Sequence, residues 1–135
     1  MKAHETQLRV RYAETDQMGV VYYGNYALYY EVGRAEWLRQ FGMTYADLER
    51  KGVIMPVTRL DSRFLRPAHY DQLLTIRTSL KEMPKRRITF VSEVMDEDRE
   101  LLSIGEVTLA FLDKKSMKVI NIPSFLMEKI EKGIG

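Results

Sequence analysis

Residues 26–41, YALYYEVGRAEWLRQF, decide the fold. Apolar side chains and one glycine recur at Tyr26, Tyr29, Tyr30, Gly33, Trp37 and Phe41, the i, i+3, i+4, i+7, i+11 spacing of one helical face. Ala27, Leu28, Val32, Ala35 and Leu38 widen the apolar sector until little polar surface is left, so this helix has to be wrapped on several sides. At about 1.5 Å per residue it is roughly 25 Å long. Asn25 stands before it as an N-cap and Gly42 after it as a stop.

Outward from the helix the period changes to that of strands. Residues 5–13 (ETQLRVRYA) alternate, with Leu8, Val10 and Tyr12 on one face, which predicts a first half-buried strand. Residues 14–25 (ETDQMGVVYYGN) break that period and form a loop leading into the helix. Thr44 caps a short second helix that runs through Leu48 to Lys51 and is closed by Gly52. Residues 53–66, 72–82, 86–95 and 101–112 are rich in β-branched and aromatic side chains and are separated by short breakers, which favours antiparallel neighbours. Pro56 makes the front of the 53–66 segment an edge or a bend. A further strand is expected over 118–122, followed by a short helix opened by Pro123 and closed by Gly133. The economical solution is an α+β fold in one domain, 1–135: an antiparallel sheet around one buried helix.

Composition narrows the chemistry. Hydrophobic residues at 45% and charged residues at 30% are an ordinary globular balance. Twenty-one Lys and Arg against nineteen Asp and Glu give a net charge of +2, too even for a nucleic-acid coat. With no cysteine and two histidines, His4 and His69, the chain has no disulfide, thiolate site or cysteine nucleophile, and no metal centre is expected. The start, MKAHETQLRVRY, lacks the apolar core of a signal peptide, and no run reaches the roughly 18 apolar residues of a membrane span, so the reading is cytoplasmic.

The leading candidate for chemistry is Asp16, a carboxylate between strand and helix among Met18, Val20 and Val21. Local spacing leaves two roles open, turn cap or base. The first helical turn just downstream offers unpaired N–H groups and the positive end of the dipole, the makings of an oxyanion hole. Glu14 reads as a solvated loop end, and Tyr22, Tyr23 and Tyr26 as aromatics packing the helix entry or touching substrate. Asn25 caps the helix or fixes the Asp16 loop. Lys85, Arg86 and Arg87 form a basic turn suited to phosphates, while Arg63 and Arg66 either join it or pair with acidic neighbours such as Asp61. Met18, Met43, Met55 and Met95 are flexible side chains expected to set the depth of any cavity.

Residues 10–26, VRYAETDQMGVVYYGNY, resemble the active-site signature of the 4-hydroxybenzoyl-CoA thioesterase family of hotdog proteins, and the likeness extends through YALYYEVGRAEWL and FLRPAHYDQLLTI. The related branch associated with the Tol-Pal system usually has His where Tyr23 stands here. The resemblance implies a hotdog fold, with a five- or six-stranded antiparallel sheet around the long helix, and hydrolysis of acyl-CoA thioesters without a cofactor. It implies Asp16 as nucleophile or general base and the Tyr23 backbone N–H as the donor that polarises the carbonyl. It implies substrate contacts from Tyr22, Gly24 and Asn25 and CoA phosphate contacts from Lys85, Arg86 and Arg87. It also implies a homo-oligomer, dimer or tetramer, with sites shared between protomers. A hotdog dehydratase would need a His in the 14–25 loop or the long helix, which this chain lacks; a non-catalytic acyl-CoA-binding or scaffolding protein would be expected to lack the loop carboxylate.

Overall fold

The computed structural model describes residues 2–134. The elements follow in the order β1 (His4–Arg9), α1 (Tyr26–Arg39), α2 (Tyr45–Arg50), β2 (Val53–Ile54), β3 (Val57–Phe64), β4 (Leu73–Leu80), β5 (Arg87–Met95), β6 (Leu101–Ala110), β7 (Leu112–Asp113) and α3 (Ser124–Ile134), with 3₁₀ turns at Tyr12–Glu14 and Tyr23–Asn25. Five strands form one antiparallel sheet in the order β1-β4-β5-β6-β3, and β2 pairs separately with β7. The alternation along the strands places Leu74, Ile76 and Leu80 of β4, Ile88, Phe90 and Val94 of β5, and Val107 and Leu109 of β6 on one buried face. Helix α1 lies across that face, over β1, β4 and β5.

The predicted stripe is the buried one: Tyr26, Tyr29, Tyr30, Gly33, Trp37 and Leu38 are covered, and Arg34 with them. Trp37 stands edge-on to Phe41 and Phe90, with ring centroids 4.8 and 5.1 Å away. Each large side chain buried in this way contributes about 1.5–3 kcal/mol. Gly33 marks the closest approach of α1 to the sheet, since a methyl group there would stand 2.7 Å from Ile76 Cγ2 and nearer still to Thr78 Oγ1. Thr44 caps α2 as expected, accepting from the Asp47 N–H at 3.1 Å while Asp47 accepts from the Thr44 N–H at 2.9 Å.

Several sequence expectations are corrected. Helix α1 stops at Arg39, and its turn is closed by Gly42 with φ at +72°. The 53–66 segment splits at Pro56 into β2 and β3, and 118–122 contributes only the bridge between Val119 and Leu112. After Arg9 the chain leaves the sheet, so Tyr12 does not continue the Leu8 and Val10 face but is exposed. Gly133 does not end α3; it lies within it, where a side chain would meet the Phe41 ring at 2.8 Å or less. The long helix is not wrapped on all sides, for Leu28 and Val32 remain exposed.

That exposure continues onto β3, the edge of the sheet. Val57, Leu60 and Phe64 on its inner face are each about half exposed, as is Leu65 beyond it. Among the described residues no helix is long and apolar enough to cross a membrane.

Candidate active site

The segment between β1 and α1 is a compact hydrogen-bonded loop. Thr15 bridges to Val21 and Val20 to His69, and the Val21 N–H donates to the Ala68 carbonyl at 2.8 Å, so the loop is fastened to the β3–β4 connection. At its tip the Asp16 N–H donates to the Val20 carbonyl at 2.9 Å, and Gly19, at φ +78°, returns its N–H to the Asp16 carbonyl at 3.0 Å. Asp16 Oδ1 accepts the Met18 N–H at 2.8 Å, so the side chain does cap a turn. Capping uses one oxygen: Oδ2 has no hydrogen-bond partner among the described residues. Half-buried Asp16 lines an open depression of about 540 Å³ with Tyr12, Ala13, Thr15 and Gln17.

The start of the helix lies beside it. The Tyr22 N–H donates to the Glu14 carbonyl and the Asn25 N–H to the Tyr22 carbonyl, both at 2.9 Å, but the N–H groups of Tyr23 and Gly24 find no acceptor among the described residues. They are free donors at the positive end of α1. A Cβ at Gly24 would sit 2.7 Å from the ring of half-exposed Tyr22, so a side chain there requires that ring to move. Asn25 is not the cap the sequence suggests: its backbone is already helical, and its side chain reaches back to donate to the Glu14 carbonyl at 2.9 Å.

Glu14 is the residue the sequence reading misplaced. It is buried, not solvated. Its Oε1 accepts the Arg11 N–H at 2.8 Å and the Tyr29 hydroxyl at 3.0 Å, and its Oε2 accepts the Arg11 guanidinium at 3.0 and 3.1 Å. Burial pushes the carboxyl up, but the Arg11 amide, the Arg11 guanidinium and the Tyr29 hydroxyl outweigh it and hold the group below its ordinary range. Tyr29 is shifted the other way, by burial and then by its bond to the carboxylate. The spacing of Arg11 to Glu14, one 3₁₀ turn apart, was the available signal.

An aromatic wall closes one side. Tyr22 and Tyr23 rings lie 4.8 Å apart, and Phe64 stands edge-on to Tyr23 at 6.3 Å and to buried Tyr26 at 5.2 Å. Val21, Tyr23, Tyr26, Phe64, Leu65 and Pro67 contribute to a depression of about 260 Å³. Phe64 was not singled out from the sequence, although the alternation Leu60, Ser62, Phe64 aims it inward. Of the four methionines, Met18 is exposed and Met43 and Met95 are buried in the interior; none lines this depression.

Lys85, Arg86 and Arg87 line a groove of about 770 Å³ with Thr58, Glu82, Met83, Ala110 and Val119. This groove is at the wrong end of the sheet for Asp16 in the same chain. It adjoins the start of β3 and the end of β4, whereas Asp16 and Phe64 lie at the opposite ends, one eight-residue strand away, roughly 25 Å. Arg66 pairs with an acidic neighbour, as one of its two readings had it, but that neighbour is Glu100; Asp61 pairs with Arg59 instead. His69 serves the loop through its backbone, and among the described residues no three His, Asp or Glu side chains gather to hold a metal ion.

Residues 10–130 match the thioesterase-like superfamily, and the chain belongs to it. A putative acyl-CoA thioesterase, YneP, of Bacillus subtilis is 32% identical over 120 residues, 89% of this chain and 87% of that protein. The acyl-CoA thioester hydrolase YbgC of Escherichia coli is 28% identical, with 93% of each chain covered. The solved DHNA-CoA thioesterase of Staphylococcus aureus superposes with a TM-score of 0.93 at 31% identity, over 99% of this chain and 92% of that one. One sheet laid around one helix is thus a hotdog fold, as the signature implied.

Proposed function

We propose that the protein hydrolyses acyl-CoA thioesters, with Asp16 as nucleophile or as general base on water and the Tyr23 N–H, beside that of Gly24, as oxyanion donor. One observation carries the proposal: a carboxylate with an uncommitted oxygen and helix-start amides without acceptors belong to one hydrogen-bonded loop. Oxygen adds to the thioester carbon, the C–S bond breaks, and CoA leaves as a thiolate that takes up a proton. In the general-base route the oxygen comes from water; in the nucleophilic route Asp16 forms an anhydride that water then opens. Thiolate is a good leaving group, so two amides and one carboxylate suffice without a metal. The aromatic wall of Tyr22, Tyr23 and Phe64 is read as the acyl side of the site, and Asn25 as the clamp holding its floor.

A second copy completes the site in this reading. Edge strand β3 is paired with β6 on one side only, and half-exposed Val57 and Leu60 share a depression with exposed Leu28. Antiparallel pairing of two β3 edges sets the Val57 end of one protomer beside the Phe64 end of the other. The partner's basic groove then approaches this chain's Asp16 loop, with Lys85, Arg86 and Arg87 offered to the CoA phosphates. The proposed assembly is therefore a homodimer or a tetramer of such dimers, and its proposed compartment is the cytoplasm.

The decisive experiment replaces Asp16 by Asn and measures hydrolysis of a panel of short, long and aromatic acyl-CoAs. A loss of about 100- to 10,000-fold in kcat with an unchanged melting temperature is expected. Near parental kcat would leave Asp16 a turn cap and the chain an acyl-CoA binder whose chemistry lies elsewhere.

A further inference from the structure

Everything proposed for the site hangs from one buried side chain that does not reach the depression itself. Glu14 lies two residues before Asp16, yet its hydrogen bonds run in three directions. Its carboxylate is gripped by Arg11, at the turn that leaves β1, and by the Tyr29 hydroxyl, one turn into α1. Its main-chain carbonyl accepts both the Tyr22 N–H, adjacent to the free Tyr23 amide, and the Asn25 side chain. We infer that Glu14 is a positioning residue for the reaction, fixing the distance and angle between the Asp16 carboxylate and the amide donors at the start of α1.

The physical case is one of connectivity. The base sits on a loop and the oxyanion donors on a helix, and between them the backbone runs through Met18, Gly19 and Val20, a stretch with a positive-φ glycine. The bonds of Asp16 to Val20 and of Val21 to Ala68 hold the loop to itself and to the β3–β4 connection. The bonds of Tyr22, Asn25 and Tyr29 to Glu14 tie it to the start of α1, and a misplacement of about an ångström between the two is enough to cost about 100-fold in rate. Glu14 supplies struts from both its carboxylate and its carbonyl. It is also expensive to remove from that role, because a buried carboxylate is retained only where its oxygens are all engaged, as they are here by four donors. Tyr29 adds direction: its ring is fully covered and edge-on to Tyr26, so the hydroxyl is held on a rigid element and aimed at Oε1.

This inference rests on the thioesterase reading with Asp16 as the reacting carboxylate, and the experiment separates the two. Glu14→Gln, Glu14→Asp, Tyr29→Phe and Asp16→Asn are assayed side by side on the best substrate of the panel, with folding checked by circular dichroism and melting temperature. Glu14→Gln keeps size and shape but loses the paired charge. It is expected to lower kcat by about 10- to 100-fold with KM within about twofold, in protein that remains folded at the assay temperature. Tyr29→Phe should give the same split, smaller, and Glu14→Asp should recover part of the lost kcat. A merely architectural Glu14 would lower the melting temperature and leave kcat per folded molecule at the parental value, and that outcome overturns the inference while Asp16→Asn stays inactive. Active Asp16→Asn would instead sink the site reading, and Glu14's role with it.

Discussion

Replacing Gly33 by alanine reads out the distance between helix and sheet through the sign of its effect. In a helix face open to solvent, Gly→Ala is stabilising by about 1 kcal/mol, because the backbone loses less freedom on folding. Here the new methyl would meet Ile76 Cγ2 at 2.7 Å and press harder on Thr78 Oγ1. Both belong to β4, which is hydrogen-bonded to β1 on one side and β5 on the other and so cannot step aside. Overpacking of this kind costs about 1–3 kcal/mol, and with stiff β-branched neighbours the upper end applies. The net expectation is a loss of about 2 kcal/mol, or about 8 °C in melting temperature for a chain of this size. Thermal melts and urea titrations of Gly33→Ala, Thr78→Ala and the double variant measure it. Thr78→Ala removes a hydroxyl that is buried without a partner, so the double variant should recover at least about 0.5 kcal/mol of the Gly33→Ala loss. A melting temperature equal to or above the parental value would refute the close packing of α1 on β4.

Changing Arg86 and Arg87 together to Ala should raise KM for acyl-CoA severalfold at low salt with kcat nearly unchanged, since contacts to a remote phosphate bind ground and transition states alike; an unaltered KM removes the groove from the CoA site. Leu60→Lys places a charge on the open edge of β3 and should yield a 15.8 kDa species with most activity lost, as judged by light scattering; a fully active monomer contradicts the shared site. Because the folded Glu14 carboxyl titrates below its ordinary 4.5, its stabilisation is complete above that pH and disappears as pH falls through the lower folded value. As pH falls below 4.5 the parent should therefore lose more stability than Glu14→Gln, and parallel melting curves would dispose of the argument.

The parts of this molecule governed by short-range periodicity could be read from the chain. The Tyr26-to-Trp37 stripe faces the sheet as its spacing required, and Thr44 and Gly42 punctuate the helices where their side-chain chemistry said. The errors arise where a distant partner decides. Asn25 has the composition of a cap, yet the Glu14 carbonyl eleven residues back claims its amide. Gly133 resembles a helix stop but is small because Phe41 presses on it. Glu14 looked solvated because Tyr29, which covers it from the helix, is fifteen residues away and no local rule couples the two; only its spacing from Arg11 was a local signal. The signature around Asp16 and Tyr23 singles out the groups proposed to react, whereas the strand length that separates Asp16 from Lys85 to Arg87 emerges only from the sheet order.

Helix α1 also divides the molecule optically. Its one tryptophan, Trp37, is sealed between Phe41 and Phe90, about two to three turns of helix beyond Tyr30, Tyr29 and Tyr26 at the end nearest Asp16. Indole emission therefore follows loss of the core and is blind to what enters the depression. Tyr22 and Tyr23, half exposed or more, carry the chromophores that an acyl group bound in the proposed place would shade. Excitation at the red edge, where only indole absorbs, and tyrosine difference absorbance thus give two independent signals from the unlabelled protein, one for folding and one for occupancy.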